Sequence, residues 1–395
     1  MKLPRTILRA RSARVSIAAL AVAVLAGGVW HGVASAQAAR PAQATPATTS
    51  APAPIVRDIA GGRTSYADLV KAVTPSVVTI RTERQAEVSP AAFQDDELLR
   101  RFFGDAQGRS RRQPQPFRQR ALGSGVVVSH DGYILTNNHV VNGANTIKAE
   151  FNDGRTLTAK VIGVDEPSDL ALLKVEATNL PMLALGNSDV VQVGDVVLAI
   201  GNPLGIGQTV TMGIVSAKGR ATGVGDGSYE DFLQTDAPIN QGNSGGALVS
   251  MSGELVGINS QILSPSGGNI GIGFAIPSNM AGHVMAELRQ EGRVRRARLG
   301  ITVEPVTSEL AASLRLRDVS GAVVRDVAPN SAAERAGLKS GDVVLSFNGR
   351  SVTDANMLRN RIGESTPGSK ATIGLTREGK AHEVTVTLGE ATVES

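Results

Sequence analysis

The chain has 395 residues, 42% of them hydrophobic and 19% charged, which is enough for two or three domains with separate cores. Only 3% is aromatic, while 44 glycines and 18 prolines favour turn-rich β-structure with small aliphatic cores over a helical bundle. The formal charge is +4 and there is no cysteine, so disulfides, zinc thiolates and a thiol nucleophile are excluded.

Five basic and no acidic residues precede Gln37, so the charge of the remainder is −1 and gives no reason to expect a nucleic-acid partner. Those residues have the three parts of an export signal: a basic start, the apolar stretch Val15–Trp30, and Ala34-Ser35-Ala36 as a cleavage site. The rival expectation is a retained membrane anchor, against which the stretch is short and holds Gly27 and Gly28. Residues 37–64 are rich in Ala and Pro and read as a disordered linker.

A first domain is expected over residues 65–281. It begins with a short helix and the strand "SVVTIRT", followed by a long polar loop over about 84–120 that contains "ELLRRFFGD". From Ala121 to Pro277, short apolar runs alternate with Gly, Asn, Asp and Pro, a spacing that predicts an all-β barrel or sandwich. "SNMAGHVMAELRQEG" has helical spacing and a glycine stop, so residues 282–297 read as a connecting helix and linker. Residues 298–390 form a second β-rich module with helical patches at "NSAAERAGL" and "DANMLRNRI".

"QGNSGGAL" (Gln241–Leu248) places a serine among glycines that let consecutive backbone N–H groups point one way. Ser244 is a candidate nucleophile if a base and an orienting acid exist elsewhere. Past Gln37 the chain keeps His130, His139, His283 and His382; only His139, in "TNNHVV", stands where an apolar strand gives way to a polar segment. "DEPSDLALLKV" offers Asp165 and Asp169. Asp169 directly precedes the buried run and is the expected orienting carboxylate. The order His139, Asp169, Ser244 is that of double β-barrel proteases with a chymotrypsin-like fold. No metal and no cofactor is expected.

"TNNHVV", "DLALLKV", "AIGNPLG", "GIVSAKGR", "QTDAPINQGNSGGAL" and "NIGIGFAIPSNM" together resemble the HtrA family of serine proteases, especially its DegP/DegQ branch. The resemblance implies a mainly β fold: a chymotrypsin-like double-barrel protease domain followed by one PDZ domain. It implies that His139, Asp169 and Ser244 form the triad, and that Gly242, Asn243 and Ser244 supply oxyanion N–H groups. "RLGITVEP" resembles the PDZ carboxylate loop, with Leu299, Gly300 and Ile301 meeting the free C-terminus of a peptide. Arg220 matches the family's sensing arginine. Ile239 and Ile272 are candidate walls of the specificity pocket, with cleavage after small or medium aliphatic residues expected. Partners implied are unfolded polypeptide substrates, C-terminal peptides and further copies of the chain in a trimer or larger assembly. The location implied is the periplasm. Alternatives in the same frame are a membrane-anchored signalling protease and a chaperone built on a protease scaffold.

Overall fold

The computed structural model describes residues 58–59, 62–63, 65–85, 118–203, 207–222, 229–264, 268–314, 316 and 318–391. The expected export signal, the core of the long loop and most of the expected linker lie outside them; within the linker, residues 58–59 and 62–63 are paired strands. The described residues all fall in one compact unit. It opens with a two-residue hairpin, β1 (Asp58–Ile59) and β2 (Gly62–Arg63), and helix α1 (Ala67–Val73).

Six strands then close an antiparallel barrel: β3 (Val77–Gln85), β4 (Arg118–Val127), β5 (Tyr133–Asn137), β6 (Thr146–Glu150), β7 (Thr156–Asp165) and β8 (Leu170–Val175), in the order β3-β4-β5-β8-β7-β6. A short helix α2 (Asn138–Val141) follows β5. A second closed barrel contains β9 (Val196–Gly201), β10 (Thr209–Arg220), β11 (Phe232–Thr235), β12 (Ala247–Ser250), β13 (Leu255–Ile262) and β14 (Gly273–Pro277), in the order β10-β11-β14-β13-β12-β9.

Strand periodicity explains why "LALLKV" is apolar at every position but Lys174. Successive side chains point to opposite faces. In β8, Ala171, Leu173 and Val175 fill the first barrel, while Leu170 and Leu172 face a cluster shared with Leu198 and Ile200 of β9. In β9, Val197 and Ala199 turn the other way, into the second barrel. Both strands are therefore buried on both faces, and Lys174 near the end of β8 is the one charged side chain between them. The shared cluster clamps the barrels together and is sealed by helix α3 (Ser278–Glu291). Its Met280, Ala281, Val284 and Leu288 recur at helical spacing on the buried face. Gly292 ends this helix at φ 70°, a left-handed conformation that glycine adopts without strain.

The C-terminal module has its own core, with Leu299, Val324, Val344, Phe347, Leu358 and Ile373 among its members. Its main sheet runs β16 (Ile301–Pro305), β17 (Ala322–Val327), β18 (Val343–Phe347), β20 (Lys370–Arg377), β21 (Lys380–Thr387), with β19 (Arg350–Ser351) paired to β18. A separate pair, β15 (Ala297–Arg298) and β22 (Gly389–Glu390), ties the module's two ends together. Helices α4 (Ser308–Leu314), α5 (Ala332–Arg335) and α6 (Ala355–Gly363) complete it. The two helical patches expected from sequence correspond to α5 and α6. Strand β16 is an edge of the sheet among the described residues, so one side of its backbone is open to a further strand.

Candidate active site

His139 stands on α2, directly after β5, and Asp169 directly before β8; these two strands are paired with Asn137 opposite Leu170. The pairing brings the expected base and orienting acid together. Asp169 follows the 3-10 turn Glu166–Ser168 and adopts φ 55°, ψ 40°, a left-handed conformation unusual for a residue other than glycine. Four groups hold it there. Its Oδ1 accepts the His139 backbone N–H at 2.9 Å, and its Oδ2 lies 2.7 Å from His139 Nδ1. Its carbonyl accepts the Asn138 N–H at 3.1 Å and the Asn137 side-chain amide at 3.0 Å. A carboxylate on Nδ1 places the ring proton there and leaves the Nε2 lone pair to accept one.

Ser244 comes from the other barrel, in the loop between β11 and β12, and is 5% exposed. Its hydroxyl donates to the Ser260 carbonyl at 3.0 Å, and the Ser260 hydroxyl donates to Asp169 Oδ2 at 3.3 Å. A bonded string therefore runs from the serine through β13 to the carboxylate and the imidazole. Gly123 lies between the two halves: a Cβ there would sit 2.6 Å from Val140 and 3.3 Å from the Ser244 carbonyl oxygen. Only a glycine lets α2 approach the serine loop so closely. Gly245 is equally constrained, at φ 82° with the Ser124 carbonyl 2.2 Å from where its Cβ would be.

The backbone of the serine loop sorts the expected oxyanion donors. The Asn243 N–H donates to the Asn240 carbonyl at 2.9 Å and is committed to the loop's own turn. The Gly242 carbonyl accepts the Ser124 hydroxyl at 2.6 Å. Among the described residues the amides of Gly242 and Ser244 have no acceptor, whereas that of Asn243 is engaged within the loop.

Ile239 is 1% exposed inside the second barrel, against the position of Gly273. Ile272, the residue before Gly273, packs instead on the cluster between the barrels. The two expected pocket walls thus belong to different clusters. Arg220 is exposed and its Nε donates to Gln234 Oε1 at 3.1 Å; residues 223–228 of its loop lie outside the described residues.

Around Gly300 the chain is arranged to present amides. Gly300 has φ 80°, and a Cβ there would meet Ser331 Cβ at 2.4 Å. The Leu299 and Gly300 carbonyls accept the N–H groups of Ala333 and Ala328, both at 2.9 Å. The Leu299 and Gly300 amides have no acceptor among the described residues and lie at the start of the open edge strand β16.

Sequence reasoning missed how the C-terminal module docks on the protease barrels. Asp165, the rival carboxylate, is the more buried of the pair at 4% side-chain exposure against 25% for Asp169. It is held by the two guanidinium nitrogens of Arg296 at 2.5 and 2.6 Å, and the Ser168 hydroxyl donates to it as well. Arg296 in turn lies 4.3 Å over the Tyr229 ring, which packs against Gly363 of α6. Asn356 and Asn360 of α6 both donate to the Glu230 carbonyl, at 2.5 and 2.7 Å. The Glu230 carboxylate accepts the Thr222 N–H and hydroxyl, and Gln261 of β13 donates to that hydroxyl at 3.3 Å. Beside this contact lies a cleft of about 670 Å³ whose walls include Asp189, Lys218, Asp231, His283, Arg350 and Glu364.

Comparison with known proteins agrees with the fold, a double-barrel domain followed by a smaller C-terminal module. A trypsin-like peptidase domain family matches residues 123–258, and a PDZ domain family matches residues 297–388. The periplasmic serine endoprotease DegP of Escherichia coli (strain K12) is 45% identical over 351 residues, 83% of this chain and 73% of the relative. A probable periplasmic serine endoprotease DegP-like of Chlamydia muridarum is 45% identical over 343 residues, 83% of this chain and 69% of the relative. Among solved structures, an HtrA-type protease AlgW with tripeptide is similar at TM-score 0.67 and 42% identity, covering 83% of this chain and 98% of that one. A serine endoprotease from Yersinia pestis is similar at TM-score 0.56 and 38% identity, covering 84% and 100%.

Proposed function

Since this chain belongs to the HtrA family of serine endoproteases, we propose that it cleaves unfolded polypeptides in the periplasm with Ser244 as nucleophile, His139 as general base and Asp169 as the orienting carboxylate. The observation that carries the assignment is Asp169 bound twice by His139 while Ser260 links the same carboxylate to Ser244.

For attack, the Ser244 hydroxyl turns from the Ser260 carbonyl and gives its proton to His139 Nε2 as Oγ adds to the scissile carbonyl. Asp169 stabilises the imidazolium without taking a proton. The carbonyl oxygen becomes an oxyanion facing the Gly242 and Ser244 amides, donors typically worth ~3–4 kcal/mol each in the transition state. His139 then protonates the leaving amine, and water repeats the sequence to release the acyl group. Substrates enter already unfolded, and the role is protein quality control.

The PDZ domain takes the C-terminus of a peptide, its carboxylate on the Leu299 and Gly300 amides and its strand along β16. AlgW has been solved with a tripeptide and with a decapeptide, which supports a peptide ligand here too. Occupancy reaches the protease through α6, Glu230, Thr222 and Gln261 on β13, with Arg220 contributing to the order of the adjoining loop. A homotrimer is the assembly in which this unit works. The test is Ser244→Ala: cleavage of casein disappears while thermal stability and assembly size stay as in the parent. Near-normal proteolysis by the variant would refute the assignment.

A further inference from the structure

Ser124 lies on β4 of the first barrel, far in sequence from the serine loop, and is fully buried at 0% exposure. Every polar group of this residue is engaged across the boundary between the barrels or beside it. Its N–H donates to the Ser244 carbonyl at 2.8 Å, and its carbonyl accepts the Thr136 hydroxyl at 2.7 Å. Its hydroxyl donates to the Gly242 carbonyl at 2.6 Å and accepts the Asn202 N–H at 2.9 Å. Asn202 is itself fixed by a bond from its side-chain amide to Thr79 Oγ1 at 2.7 Å.

The bond to Gly242 bears on the chemistry. The peptide unit between Gly242 and Asn243 is pinned at both ends, its carbonyl by Ser124 and its N–H by the Asn240 carbonyl. The two amides flanking this unit are those of Gly242 and Ser244, the pair left to receive an oxyanion. Gly242 sits at φ 96°, where a glycine has broad freedom to rotate its peptide units. Backbone preference alone therefore does not hold the hole; an external tie does. We infer that Ser124 is a positioning residue for the oxyanion hole, its hydroxyl holding the Gly242 carbonyl so that the Gly242 and Ser244 amides converge. Without the hydroxyl, the buried Gly242 carbonyl has lost its partner and recovers one by rotating its peptide unit, which carries the flanking amides apart.

The inference rests on Ser244 being the nucleophile, which Ser244→Ala tests by itself. For Ser124, the experiment measures Ser124→Ala and Ser124→Thr in the full chain, with a chromogenic peptide substrate and a peptide aldehyde of matching sequence. The aldehyde forms a hemiacetal on the serine and needs the hole; a substrate-like peptide bound to an inactive Ser244→Ala background does not. Expected for Ser124→Ala are a fall in kcat of about 10- to 100-fold, KM within about threefold, and aldehyde affinity lost in parallel with kcat/KM. Peptide affinity in the Ser244→Ala background should not change when Ser124→Ala is added. Ser124→Thr, which keeps the hydroxyl, should return most of kcat. If Ser124→Ala does not fold, Ser124→Cys, with a weak donor at the same place, is measured in the same way and should fall between parent and Ser124→Thr on one side and an inactive enzyme on the other. Unchanged kcat and aldehyde affinity overturn the inference, and so does an equal loss of aldehyde and ground-state peptide binding, the mark of a structural role alone.

Discussion

The cleft between the protease barrels and the PDZ domain should loosen as pH rises from about 5 to 8. Burial pushes the Asp231 carboxyl from 3.8 up to about 6, and the nearby carboxylates of Asp354 and Asp189 add to the shift. Lys218 and Arg361 offset part of it. Burial likewise pushes Glu364, at the end of α6, from 4.5 up to about 7, with Asp231 and Asp189 adding and Arg350 and Arg361 opposing. Both carboxyls are raised in the docked state. Their favourable contribution is therefore complete below about pH 4, where both docked and separated forms are protonated, and is lost as pH climbs through 6 and 7. For Asp231 a rise of about two units corresponds to a ceiling of about 3 kcal/mol, at ~1.4 kcal/mol per unit. Glu364 opens onto solvent along the cleft, which screens its share, and because each carboxyl raises the other the two shifts do not add fully. Part of the total is already lost by pH 5, which leaves about 2 kcal/mol to disappear between pH 5 and pH 8. Hydrogen exchange over residues 355–363, corrected for the intrinsic pH dependence of exchange, reads the opening free energy of α6 directly. The parent should lose about 2 kcal/mol over that interval. The double variant Asp231→Asn/Glu364→Gln, neutral at every pH, should be nearly flat. His283 also faces the cleft in both proteins, so the difference between them isolates the carboxyls. Equal slopes in parent and variant would refute the reasoning.

Asp169→Asn should lower kcat by about 10⁴-fold with the fold intact, because an amide at this position favours the wrong tautomer of His139; single-turnover kinetics on a peptide ester checks it. Gly245→Ala should destabilise the protein by about 3 kcal/mol or more, since its Cβ would lie 2.2 Å from a backbone oxygen in a left-handed conformation; thermal and urea unfolding measure the loss. Arg296→Met strands the buried Asp165 carboxylate and should cost about 3–5 kcal/mol, with Asp165→Asn added to it recovering much of the loss in a double-mutant cycle. Peptides with a free apolar C-terminus should raise turnover of a small reporter substrate, and C-terminal amidation should abolish the gain; equal activation by both forms would rule out the Leu299 and Gly300 amides as the carboxylate site.

Much of this molecule is legible in its sequence because its strands are marked by local rules. Alternating and continuous apolar runs located the barrel strands, helical spacing and a glycine stop located α3, and turn-forming residues separated the rest. Among the site residues, His139 and Ser244 stood out through their surroundings. The position of Asp169 directly before a buried run favours it over Asp165, yet the structure gives the deeper burial to Asp165. What distinguishes them is the partner: Arg296, 131 positions away, claims one, and the strand register of β5 with β8 delivers the other to His139. Ile239 and Ile272 could not be assigned to faces from sequence because the loop before β14 hides where strand alternation begins. The docking of α6 on Tyr229 and Glu230 left no periodic trace at all. It depends on a missing side chain at Gly363 and on two asparagines that share one carbonyl. Asparagine on a helix reads as a surface residue until its partner is known.

The division of the site between two barrels also sets a clock during synthesis. His139 and Asp169 belong to the barrel made first, and Ser244 to the barrel made second. The second barrel closes only when β14 pairs with both β11 and β13, and β14 ends at Pro277. At ~5–20 residues per second, the stretch from Asp169 to Pro277 takes roughly 5–20 s to make. Throughout that interval the growing chain carries His139 and Asp169, the proposed base and orienting acid, with Ser244 not yet held against them. A nascent protease of this design is thus unable to cut itself or its neighbours while the strands of its two barrels are still unpaired, and only the C-terminal module remains to be made when it becomes competent.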